Sequence, residues 1–336
     1  MSGRRSARRR RRGEANAARP VPRACQAAVV PPEPRVIYET VHGSRAYGLA
    51  REGSDTDVKG IVVGPRSWYL GYRGGPEQIT LTDDHVRYEL RRFVRLAADA
   101  NPTVLELLWT EPEDHLVVTP VGARLLHHRH AFLSTRIGPR FGGYARSQLK
   151  RIRTHRSWLL SPPTQAPTRA DFGLPERTVV PIDQLRAAEV VLDAGDLDAL
   201  DVSANFMEVL AREKRYANAQ ARWRQYRSWL RNRNPARAAL EARHGYDTKH
   251  AMHLVRLQRM ALEALERGEL IVRRPDRDEL LAIRDGALSF DELEAEADRV
   301  ALDIDRAVAA SPLPDEPDEV ALDELCTDLL GGELAC

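Results

Sequence analysis

The sequence predicts an α+β fold, with a small β-sheet domain in the amino-terminal half and an α-helical domain after it. Three observations point there. β-branched and aromatic runs recur at residues 36–41, 58–63, 79–82 and 85–89, parted by turn residues. From Leu90 the apolar spacing becomes helical, and from Ile182 onward it stays so. That second part breaks near Asn234-Pro235, His244-Gly245 and Arg274-Pro275, where proline and glycine end helices.

In chain order, residues 1–34 read as a tail rich in arginine, alanine and proline, with seven arginines in the first twelve positions. Such a segment buries too little apolar surface to order itself. Residues 35–158 hold the sheet domain, 159–181 a proline-rich connecting loop, 182–310 the helical domain, and 311–336 an acidic tail with eight carboxylates. A net charge of +2 over 336 residues therefore hides oppositely charged ends. No apolar run reaches the ~18 residues of a membrane span, and none follows the arginines to form a secretory signal. Cys25, Cys326 and Cys336 lack CxxC spacing. They argue for a reducing, cytoplasmic setting and against a zinc or disulfide framework.

The stretch from His42 to Val63 carries the chemistry. A strand breaks at Gly43-Ser44, a short helical segment follows, and the chain turns at Gly53-Ser54 into a second strand. Asp55 and Asp57, two apart at that strand's entrance, point to one face, and a cation between them would relieve their repulsion. Oxygen ligands suit Mg²⁺ or Mn²⁺, with substrate phosphates completing the shell. Gly43 allows close backbone approach, and Ser44 adds a hydroxyl suited to phosphate. A phosphate bend followed by a carboxylate pair describes metal-dependent nucleotidyl transfer. Asp55-Thr56-Asp57 alone would more often be a solvated turn, so the order of further motifs matters.

Gly43-Ser44, Tyr47-Gly48 and Ser54-Asp55-x-Asp57-x-x-Gly60 together resemble the signature of the DNA polymerase β-like nucleotidyltransferases. The branch they resemble is the predicted bacterial and phage one, some of it encoded near RNA-repair genes. The likeness runs on through Tyr88-Glu89-Leu90-Arg91-Arg92, Asn101-Pro102, Leu105 to Trp109, Lys249 to Leu257 and Glu279 to Gly286. It implies a small mixed sheet closed over by the helical domain, an NTP substrate, and an RNA end as the favoured acceptor. A two-metal site also needs a third carboxylate. The resemblance favours Glu89, just before the turn into a helix, with Asp84 as the rival. Asp55, Asp57 and Glu89 are then the catalytic and metal-binding set. Gly43 and Ser44 face the phosphates, helped by Lys249, His253 and Arg256 at i, i+4 and i+7 on one helical stripe. A binding module without turnover, or a transferase acting on a protein or small molecule, remains the alternative.

Other features carry less. Trp68, Tyr69 and Tyr72 sit in a glycine-rich loop, and Glu106 interrupts an apolar helix. His127, His128 and His130 lack zinc spacing, and residues 141–158 form a basic helix. Between Arg212 and Arg259 thirteen basic residues outnumber three acids, interleaved with Tyr216, Trp223, Tyr226 and Trp229. That mixture suits RNA, or equally a solvated basic face over a core. Arg284 reads as a helix cap or ion pair. No GxxxxGK[ST] loop is present, and the Asp-Phe-Gly at 171–173 has no kinase partners.

Overall fold

The computed structural model describes residues 33–178 and 204–334. The arginine tail, the start of the helical domain at 182–203, Cys25 and Cys336 lie outside the described residues. The sheet region runs β1 (Arg35–His42), α1 (Gly43–Ala46), β2 (Asp57–Val63), α2 (Arg66–Leu70), β3 (Gln78–Thr82), β4 (His85–Glu89), α3 (Leu90–Ala98), α4 (Pro102–Leu105), β5 (His115–Val118) and α5 (Pro120–His127). Strand order is β3-β4-β2-β1-β5. β2 and β4 are parallel and the other pairs antiparallel, so the sheet is mixed. Strand alternation sends Tyr38, Ile61, Val63, Val86 and Tyr88 into one core with Leu90, Phe93, Leu105 and Leu108. β5 has no counterpart among the expected strands. Its four residues lie between Pro112 and Pro120, too short a run to show a period.

The helical region comprises α6 (Ile137–Leu160), α7 (Ala204–Arg231), α8 (Pro235–His244), α9 (Thr248–Arg267), α10 (Arg277–Arg284) and α11 (Phe290–Ala310). α9 is its axis, packed against α6, α10 and α11. Asp247 caps its start through the His250 N–H, and Gly268 ends it in the left-handed region. The proline-rich stretch is held against α7: Arg169 pairs with Glu213, and Gln220 donates to the Pro167 carbonyl at 2.6 Å. Trp158 and Trp229, 5.4 Å apart, pack with His155 and Tyr226 between α6 and α7.

The carboxy-terminal residues overturn one expectation. Where an acidic tail was anticipated, Glu319–Leu334 forms α12, with Leu322, Leu325, Cys326 and Leu329 buried. It lies against α3 and α5. Those residues are spaced i, i+3, i+4, i+7, an apolar stripe that the surrounding acids obscure.

Candidate active site

His42 and Asp57 are register partners where β1 ends and β2 begins. Gly43 has φ +64°, and a Cβ on it would stand 2.0 Å from Asp57 Oδ2. Glycine is thus what lets the carboxylate lie against the bend. β2 starts at Asp57, so Asp55 sits in the irregular segment before it, exposed, and not two residues along the same strand. The turn between is clipped by Arg45, which donates to the Ser54 carbonyl at 2.9 Å. Among the described residues, the Asp55 and Asp57 carboxylates and the Ser44 hydroxyl have no hydrogen-bond or ion-pair partner.

Behind the bend lies a buried quartet. Tyr47 donates its hydroxyl to Glu106 at 2.6 Å, Arg256 donates to the other oxygen at 2.9 Å, and His42 Nε2 stands 3.4 Å away. The Arg256 guanidinium also covers the Tyr47 ring at 3.7 Å. Burial works to raise the Glu106 carboxyl, but Arg256, His42 and Tyr47 outweigh it and hold it well below the usual carboxylate range. Arg256, expected at the triphosphate, is therefore committed inward. It does share a stripe with Lys249, but seven residues is about 10 Å along the axis, deep enough for the sheet region to cover it. His253, one turn in, is also changed. Burial, then the Arg256 and Lys249 charges, pushes its imidazole down to about 3, so it is neutral at pH 7 and offsets no phosphate charge.

Lys249 remains at the mouth. Burial and the nearby Arg237 and Arg284 push its ammonium down, while Asp55 works to raise it. Thr248 Oγ1 donates to the Arg284 carbonyl at 2.7 Å, which brings α10's end to α9's start. All three cations are half-buried. Among the described residues none of their charged groups has a carboxylate within ion-pair distance. Arg237 was not singled out from sequence and Arg284 only as a helix cap or ion pair, because they stand on different helices and no spacing links them.

Glu89 is not part of this end of the sheet. β2 and β4 run parallel with Val58 opposite His85 and Val62 opposite Glu89. Glu89 is thus level with a residue five positions beyond Asp57, about 17 Å along the strand. Alternation also places it on the face of His85 and Arg87, whereas Asp57 shares the opposite face with His42. There Glu89 caps α3 by accepting from Arg92 N at 3.1 Å and from the Tyr69 hydroxyl at 3.0 Å. Asp84 precedes His85, and its carbonyl accepts from Val58 N at 2.7 Å, so it lies beside Asp57. Its exposed carboxylate has no protein partner among the described residues.

Residues 17–159 match the model of RlaP, the RNA repair pathway DNA polymerase beta family. That region is similar to the family. Over 78 residues the chain is also 35% identical to the uncharacterized protein YcgL of Bacillus subtilis (strain 168), which covers 22% of this chain and 30% of that relative. No solved structure matches the chain. The RlaP match includes the bend, both aspartates, Asp84 and Glu106, and it ends inside α6, so α7 to α12 lie beyond it. Among the described residues no helix is long and apolar enough to cross a membrane.

The donor types of this region suit a hard divalent cation. Asp55, Asp57 and Asp84 offer oxygen alone, as Mg²⁺ and Mn²⁺ prefer, and the missing Gly43 side chain leaves room beside Asp57, although the three carboxylates do not all lie within 4.8 Å of one another.

Proposed function

We propose that this protein is a metal-dependent nucleotidyltransferase that moves a nucleoside monophosphate from an NTP to a hydroxyl, with an RNA end as the favoured acceptor. The observation that carries the reading is one of charge. Among the described residues the Asp55, Asp57 and Asp84 carboxylates have no protein partner, Asp55 lies near enough to Lys249 to act on its charge, and Lys249, with Arg237 and Arg284 beside it, makes no ion pair. Half-buried cations without an ion-pair partner call for an anion, and unpartnered carboxylates for a cation. A divalent ion bound with a nucleotide supplies both and stabilises charge on the phosphates in transfer.

The chain's own residues then divide the work. Asp55, Asp57 and Asp84 hold the cation, and Asp84 takes the role that the sequence suggested for Glu89. Asp84, exposed at the edge, is also placed to accept the acceptor hydroxyl's proton. Gly43 and Ser44 bound the phosphates on one side and Lys249 on the other, while Glu106 and Arg256 fix the bend from behind. Incubating the protein with each α-labelled NTP, Mg²⁺ or Mn²⁺, and RNA, protein and small-molecule acceptors tests the reading. Label should move to RNA, and Asp55→Asn with Asp57→Asn should reduce it to background without lowering Tm. Transfer that survives this double variant would remove the basis of the proposal.

A further inference from the structure

A second constellation shares no residue with the bend, and the nucleotide reading makes no use of it. His155 on α6, Glu241 on α8 and Asp247 at the start of α9 each bring one ligand atom within 4.8 Å of the others. Both carboxylates are buried, Glu241 at 2% exposure and Asp247 at 3%. His155 Nδ1 is buried without a hydrogen-bond partner among the described residues. Arg233 holds Glu241 through Oε2 alone, at 2.6 Å, which leaves Oε1 without a partner among the described residues. His250 holds Asp247 Oδ2 at 2.5 Å and its backbone N–H holds Oδ1 at 3.0 Å, so each oxygen keeps a lone pair.

We propose that His155, Glu241 and Asp247 form a structural site for a divalent transition ion of the Zn²⁺ type. Each donor has a free lone pair and a neighbour that fixes its orientation, as second-shell partners do in metal sites. An imidazole beside two carboxylates selects Zn²⁺, Co²⁺ or Mn²⁺ over Mg²⁺ or Ca²⁺, which prefer oxygen alone. Bonds of about 2.0–2.1 Å set donors about 3.3 Å apart around a tetrahedral ion, so these side chains close in by up to about 1.5 Å on binding. Burial, opposed by Arg233 and reinforced by Asp247, raises the Glu241 carboxyl, a cost that a bound cation reverses. The ion would clamp α8 and the start of α9 onto α6, two residues from Lys249.

The test uses the full-length Asp55→Asn, Asp57→Asn protein, so that the bend contributes no carboxylates of its own. After chelator stripping, it should take up one equivalent of Co²⁺ with visible d–d absorption, and Zn²⁺ should displace it and raise Tm. His155→Phe, which keeps a ring against Trp158 and Trp229, and Glu241→Gln should each weaken Co²⁺ binding by at least about a hundredfold. The proposal is overturned if the stripped parent binds no stoichiometric Co²⁺, or if either folded variant binds as the parent does. Should both variants fail to fold, the parent's spectrum decides. Bands of a nitrogen-containing four- or five-coordinate site support the assignment, and a purely six-coordinate aquo spectrum overturns it.

Discussion

Asp84 and Glu89, five residues apart, separate two versions of the third carboxylate. One stands just before β4 and the other at its end, and sequence favours the one whose neighbours look right. Parallel pairing decides against it, because only the start of β4 reaches Asp57. The two make opposite predictions. Asp84→Asn should cut transfer at least about a hundredfold, the scale of losing a preorganised electrostatic contact, and leave Tm within a degree or so. Glu89→Ala should leave transfer within about twofold but cost about 1 kcal/mol or more by denaturant melting, since it removes an α3 cap and strands the Tyr69 hydroxyl. Reversal of this pattern would return the site to Glu89.

Among elements, α9 and α12 show how depth alters a side chain's task. The Glu106–Arg256 pair ties α9 to the segment after α4, with side chains 1% and 5% exposed. Breaking one half should cost about 3–5 kcal/mol, because it leaves a buried charge unmatched. Glu106→Gln with Arg256→Met should recover much of that loss, and a double-mutant cycle in urea measures the coupling. Additive losses would mean the two act separately. On α12, Leu329 is fully buried against the sheet region. Leu329→Ala should therefore cost about 2–5 kcal/mol, whereas a solvated tail would tolerate it. The leucine spacing that marks this helix is legible in the sequence, but eight acids around it favour the tail reading.

For the whole molecule, pH acts through groups whose buried surroundings favour one charge state. His253 has a folded pKa pushed to about 3 from an ordinary 6.5. The unfolded chain therefore binds the proton more readily, and the stability this group contributes is complete above pH 6.5 and lost as pH falls toward 3. Glu106, held below its ordinary 4.5, adds a loss below that value. Tm should decline from about pH 6.5, steepen below about 4.5, and lose part of its first limb in His253→Asn. A flat Tm from pH 7 to 5 would contradict the burial of His253.

What the sequence determined by itself was local. The Gly43-Ser44 bend, the aspartates at 55 and 57, the change from strand to helix spacing at Leu90 and the proline and glycine breaks are each fixed by a few adjacent residues and their backbone preferences. The tertiary structure alone decided which end of β4 meets Asp57, how deep Arg256 lies, and that Arg237 and Arg284 join Lys249. Strand register and helix depth arise from contacts between residues tens to hundreds of positions apart, and no local spacing encodes those distances.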